Sequence, residues 1–175
     1  MNRPLILLAA FTAICILSLD ASAQRRPAPR RTPTPPAPAT TAAAAAEVKL
    51  GAEKASTQIK NVTKFLYTLG GIANRIEDLD RESKTRSLSR AALDANDTNK
   101  RSVITAIRNL RAGIEALETE FRTKPALQKY ALNLQGISLL ASECEQLAAA
   151  GRFSDAGRPL LELVEKLSDT LVAMP

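Results

Sequence analysis

The sequence predicts an all-α fold, an antiparallel up-and-down bundle of about four helices with a long first one, and three observations carry that expectation. Val48, Ala52, Ala55, Ile59, Val62, Leu66, Leu69, Ala73 and Ile76 follow one another at steps of four and three without a break, the spacing of a single buried helix face. Three later stretches repeat the rhythm, separated by short links. No stretch alternates apolar and polar residues as a half-buried strand does. A seam of this kind gains nothing alone in water, so the later helices are expected to cover the first.

The first helix is expected to start in the alanine run after Thr41, its N-cap, and to reach about Leu79. Gly70-Gly71 falls inside it, at a cost of about 1 kcal/mol each relative to alanine. The register passes through unchanged from Leu69 to Ala73, so the helix continues, and the paired glycines read as a mild kink or a close approach of a second backbone. A ligand notch is the competing reading of the pair. Asp80 to Asn96 breaks the rhythm and reads as a solvated basic connection, with Leu88, Ala92 and Leu93 enough for at most a short extra helix. The second helix then starts from a cap at Asn96 or Asp97 and places Val103, Ile107, Leu110, Ile114, Leu117 and Phe121 on one face.

The third helix is expected from about Thr123, with Pro125 in its first turn, where the missing N–H costs little. Its seam is Leu127, Tyr130, Leu134, Ile137, Ala141, Cys144 and Ala148, and Gly151 stops it. The fourth carries Leu160, Val164, Leu167, Leu171 and Met174. A first helix of about 33 residues would span about 50 Å against about 27 Å for a fourth of about 18. Part of the first seam is therefore left over for a partner, and a homodimer is one candidate.

Ahead of the bundle, Leu5 to Leu19 form an apolar run that follows Arg3 and precedes Ala21-Ser22-Ala23. A basic start, a core short for a bilayer span and small residues at the cut read as a signal peptide over 1–23. An uncleaved anchor is the competing reading, and the only membrane contact expected. From Gln24 to Thr41 the chain is Arg, Pro, Ala and Thr, a semi-rigid, disordered linker. The bundle domain is then 42–175, and the localisation is exported, periplasmic or extracellular.

The chain has a formal net charge of +6, and removal of Arg3 and Asp20 with the signal leaves it there. Four of those charges are Arg25, Arg26, Arg30 and Arg31 in the linker, while the body from Glu47 onward carries 19 basic and 17 acidic residues. Basic character in a tail, and not on a folded face, argues against nucleic acid as a partner. The four arginines are the candidate contacts to an anionic envelope polymer or surface.

The chain has no histidine. Ser/His and Cys/His nucleophiles, common zinc sites and the Glu-x-x-His pairs of di-iron bundles all need one. With Cys15 in the signal, Cys144 is the sole mature cysteine; on a seam it reads as a buried, inert thiol. Glu115 with Glu118, and Glu162 with Glu165, are neighbours on helix surfaces. They flank the seams, where a carboxylate stays solvated instead of becoming an acid or metal ligand. No catalytic, cofactor or metal site is expected.

Gly151-Arg152-Phe153-Ser154-Asp155-Ala156 resembles the turn between the two helices of a tetratricopeptide repeat, with its glycine, the aromatic two residues on and the alanine three further. The resemblance covers these six residues, and no second copy appears at a 34-residue period. The direct reading is a helical hairpin turn in which Phe153 plugs the bundle end. The leading expectation is a non-enzymatic interaction or structural module of the cell envelope. The alternatives are a periplasmic client-binding chaperone, although the Leu-Thr-x-x-Gln signature of Spy-type chaperones is missing, and a hairpin adaptor that binds protein.

Overall fold

The structure, a computed structural model, describes residues 38–175. It is an all-helical bundle of four α-helices, α1 (Pro38–Thr85), α2 (Arg90–Thr123), α3 (Ile137–Ala149) and α4 (Gly157–Ala173), with a 3₁₀ turn at Gln128–Tyr130. Helix α1 packs against α2 and α4, and α3 packs against the same two, so one core runs down the middle. Phe121, Ile76, Ile107, Ile114, Leu127, Leu134 and Leu163 are among its largest fully buried side chains. The expected four-three seam of α1 is buried at Val48, Ala55, Val62, Leu69, Ala73 and Ile76 and partly buried at Ala52, Ile59 and Leu66.

The first two helices are both longer than their seams imply. Helix α1 begins at Pro38, so Thr41 lies inside it and is not its cap, and it runs to Thr85 instead of Leu79. The connection expected over Asp80 to Asn96 shrinks to Arg86–Ser89. Ser89, extended at φ −64° and ψ 147°, is the true cap of α2 and its side chain accepts from the Ala92 backbone N–H. That bond satisfies a donor otherwise orphaned in the first turn, and Arg90-Ala91-Ala92-Leu93 carries good helix formers on from it. Asn96, expected to cap α2, is 3 % exposed two turns into the helix.

Lengthening α2 also changes what covers α1. Asn96 near the start of α2 donates to the Ile76 carbonyl near the end of α1 at 3.4 Å, while Lys54 early in α1 reaches Glu120 late in α2 at 2.6 Å. The α1 seam from Val48 to Ile76 is buried at Val48, Ala55, Val62, Leu69, Ala73 and Ile76 within the same chain.

Pro125 ends α2 and does not start a third helix. A residue before proline is pushed out of the α region, and Lys124 sits at φ −84° and ψ 121°. Residues 124–136 fold as successive tight turns in which an N–H reaches the carbonyl three residues back, as at Leu127, Tyr130, Ala131 and Leu134, and the N–H of Ile137 does the same. Gly136 at φ +87° then sets the start of α3. Leu127, Tyr130, Leu134 and Ile137, at steps of three, four and three, stay on the core side, so the expected seam is buried although the expected helix is shorter.

Helix α3 stops where expected. Gly151, at φ +78°, donates to the Ala148 carbonyl, and Arg152 donates to that of Leu147, the paired bonds of a Schellman end. Pro159 falls in the first turn of α4 and is buried. The buried face of α4 is turned slightly from expectation: Leu163 and Thr170 are fully buried, whereas Val164 and Leu171 only pack against the core edge. Thr170 is accommodated because its hydroxyl donates to the Lys166 carbonyl at 2.8 Å.

The glycines divide in an unexpected way. A Cβ at Gly70 or Gly71 would meet nothing within 4 Å, so no second backbone approaches there. The close approaches are at Gly51, where a Cβ would lie 2.7 Å from Leu127 Cδ2 and 3.3 Å from Phe121 Cζ, and at Gly113, facing the Gln58 amide at 2.9 Å. Gly51 is the small residue that lets the turn segment after α2 lie against α1.

Candidate functional site

A groove of about 410 Å³ opens where the middle of α1 meets the turn that leads into α4. Helix α1 supplies Leu66, Leu69, Gly70 and Ala73; the turn and α4 supply Phe153, Gly157 and Leu161; Asn74, Ser154 and Arg158 add polar atoms. The floor is fixed, with Phe153 at 1 % and Leu69 at 2 % exposure, while Leu161 on the rim is 52 % exposed. Open space over Gly70 leaves the α1 wall as bare backbone.

The Schellman end at Gly151 reverses the chain so that Phe153 enters the core, as the sequence led us to expect for this turn. Two hydrogen bonds then pin the turn to α1. The Ser154 N–H donates to Glu77 Oε1 at 2.8 Å, and its hydroxyl donates to Asn74 Oδ1 at 3.0 Å. Arg152 folds over its own turn onto Asp155 at 2.7 Å. The turn is therefore tied to α1 through Ser154 and braced within itself by Arg152 and Asp155.

Several carboxylates are engaged in ion pairs away from the groove. Glu145 of α3 accepts from Arg108 Nε at 2.7 Å and from Arg111 Nη1 at 3.0 Å, and those two bonds hold its carboxyl below the usual range. Glu120 is held low in the same way by Lys124 and Lys54. Of the expected carboxylate neighbours, Glu115 accepts from Arg111, while Glu118 accepts from Arg122 and from both the backbone N–H and the hydroxyl of Ser138. Glu162 and Glu165 are exposed. The bonds of Glu145, Glu120, Glu115 and Glu118 are ties within and between helices.

Cys144 is fully buried, and burial, helped by the Glu145 and Glu143 charges, pushes its thiol from 9.0 up to about 12. Among the described residues no cluster of three or more His, Cys, Asp or Glu is placed to hold a metal ion, and no helix is long and apolar enough to cross a membrane. Arg25, Arg26, Arg30 and Arg31, and the signal segment 1–23, lie outside the described residues.

What the groove offers is shape, an apolar floor and one guanidinium at Arg158. It is suited to hold an apolar segment and to pair one anionic group beside it. Sequence patterning missed it because its parts come from two distant helices. The one local signal is Leu161, a large apolar residue one step off the seam of α4. No protein-family model, curated protein or solved structure matches this chain.

Proposed function

We propose that this chain is an exported, non-enzymatic helical-bundle protein that serves as an interaction or structural module of the cell envelope. Its four helices are read as an antiparallel up-and-down bundle. Supporting that order, the end of α1 meets the start of α2 at Asn96, and the start of α1 meets the end of α2 at Glu120. Likewise Glu118 of α2 meets Ser138 at the start of α3, and Arg108 meets Glu145 further along it.

The observation that carries the functional reading is the apolar groove pinned between α1 and the Gly151–Ala156 turn. An apolar concavity with a few polar groups at its edge is the usual form of a binding site. The occupant proposed is a protein segment that inserts apolar side chains over Leu69, Ala73 and Phe153 and turns a carboxylate toward Arg158. Arg25, Arg26, Arg30 and Arg31 are proposed to steer the module to an anionic envelope polymer, since clustered basic charge raises encounter rates with such surfaces.

The test compares binding to purified envelope fractions for three chains: the unaltered one, Leu161→Arg, and one with the four arginines replaced by serine. Loss with Leu161→Arg supports the groove, and loss with the serine variant supports the arm. Equal binding by all three removes the proposal.

A second reading, a client-binding chaperone of the periplasm, is favoured by the exposure of Leu132 at 78 % and Leu139 at 75 %. It predicts that a stoichiometric amount of the protein suppresses aggregation of an unfolded client. Inactivity at several-fold molar excess dismisses it.

A further inference from the structure

On the side of α1 directly opposite the buried line of Leu69, Ala73 and Ile76 lies a second line: Lys60, Lys64, Tyr67, Gly71, Arg75, Asp78 and Glu82. Steps of four, three, four, four, three and four separate them, so the line has helical period and is symmetric about Gly71. All but Glu82 are exposed, and Tyr67, at 87 %, is the most exposed of the large apolar side chains.

Its chemistry is antisymmetric. Seven residues before Gly71 stands Lys64, and seven after stands Asp78. Eleven before stands Lys60, and eleven after stands Glu82. Four before stands Tyr67, and four after stands Arg75. A helix laid on this face in the same direction would oppose like charges. One laid in the reverse direction, about a two-fold axis through Gly71, sets Lys64 against Asp78, Lys60 against Glu82 and the Tyr67 ring against the Arg75 guanidinium, each pair occurring twice.

Gly71 gains a role in that arrangement. It sits in mid-helix, where glycine is costly, with nothing inside the chain within 4 Å of the Cβ it lacks. At the crossing point of two helices its bare backbone lets the axes approach closely. Within one chain Asp78 is paired with Arg81 at 2.9 Å and Glu82 with Arg86 at 2.7 Å, both largely exposed. Exposed pairs of that kind contribute little, so the carboxylates can be re-paired at small cost.

We propose that this outer face of α1 docks on the same face of a second copy of the chain, in reverse direction about Gly71. The contact is a single helix pair, so the dimer is weak and reversible, and it weakens with added salt. It leaves the α1–α4 groove a separate feature of each protomer.

Sedimentation of the purified chain across a concentration series at low ionic strength tests this, with Lys64→Glu, Asp78→Lys and the combined variant. Each single reversal sets like charges opposite one another twice and is expected to raise the dimer dissociation constant about tenfold or more. The combined variant restores opposite charges and is expected to return close to the unaltered value. Gly71→Glu, at an open position where the helix itself is strengthened, is expected to give monomer with an unchanged or raised melting temperature. The proposal is overturned by a chain that stays monomeric at every concentration. It is equally overturned by a dimer indifferent to the single reversals, or by a combined variant that fails to restore association.

Discussion

Asn96 Nδ2 lies 2.9 Å from Asp80 Oδ1, and this bond ties the start of α2 to the end of α1 just inside the link between them. Lys100 neutralises the same carboxylate, while Asn96 Oδ1 has no protein partner. Asn96 is one of two polar residues in the buried set. A buried polar group at a helix interface fixes register, because any slip leaves it unmatched. Asn96→Ala is expected to cost about 1–2 kcal/mol in global stability. Chemical denaturation reads that loss, and hydrogen exchange should speed first in the paired ends of α1 and α2.

The glycines of α1 should respond with opposite signs. Gly70→Ala meets open space and removes unfolded-state freedom, so it should stabilise by about 0.5–1 kcal/mol. Gly51→Ala places a Cβ 2.7 Å from Leu127 Cδ2, with Leu127 itself fully buried and Phe121 close behind. That overpacking should outweigh the gain in helix propensity and leave a net loss of about 1–2 kcal/mol. Thermal melts of the two variants in parallel decide it.

Glu145 and Glu120 make stability fall with acid. Both carboxyls are held below their ordinary 4.5 in the folded chain by their basic partners. A depressed carboxyl contributes stability above its unfolded value and loses it as pH falls through the folded one. The folded state should therefore be insensitive to these groups at neutral pH and weaken progressively below about 4.5. In Glu145→Gln part of that acid dependence should be missing, measured as a smaller drop in melting temperature between neutral and acid buffer.

Cys144 should be silent to thiol reagents. With its thiol at about 12 instead of 9.0, it holds about a thousandfold less thiolate than an unshifted one at the same pH. Labelling by a disulfide reagent should require denaturant. Reaction of the native chain at an ordinary rate would place Cys144 outside the core.

Much of the core was legible in the sequence because a four-three rhythm records burial whatever the neighbours are. Val103, Ile107, Ile114, Leu117 and Phe121 all follow it and are all buried. Boundaries were harder. Ser89 caps α2 seven residues ahead of the better-looking Asn96, since a cap depends on one side-chain bond and not on composition. Pro125 fits the first turn of a helix and the end of the preceding one equally well until Lys124 is seen extended. Thr170 entered the core in place of Leu171 because the neighbours of α4 set its rotation. The groove was illegible since Gly70 and Leu161 become neighbours only in the folded chain.

The measurement that bears most directly on a binding role is titration of a fluorescent apolar probe against the unaltered chain and against Gly70→Trp. A Cβ at Gly70 meets nothing within 4 Å, so the root of a side chain is accommodated there, and an indole at this position is expected to occupy the open wall of the groove. The account predicts saturable binding near one probe per chain, lost in Gly70→Trp while the melting temperature is kept. Equal binding by both chains, or no saturable binding by either, would contradict it.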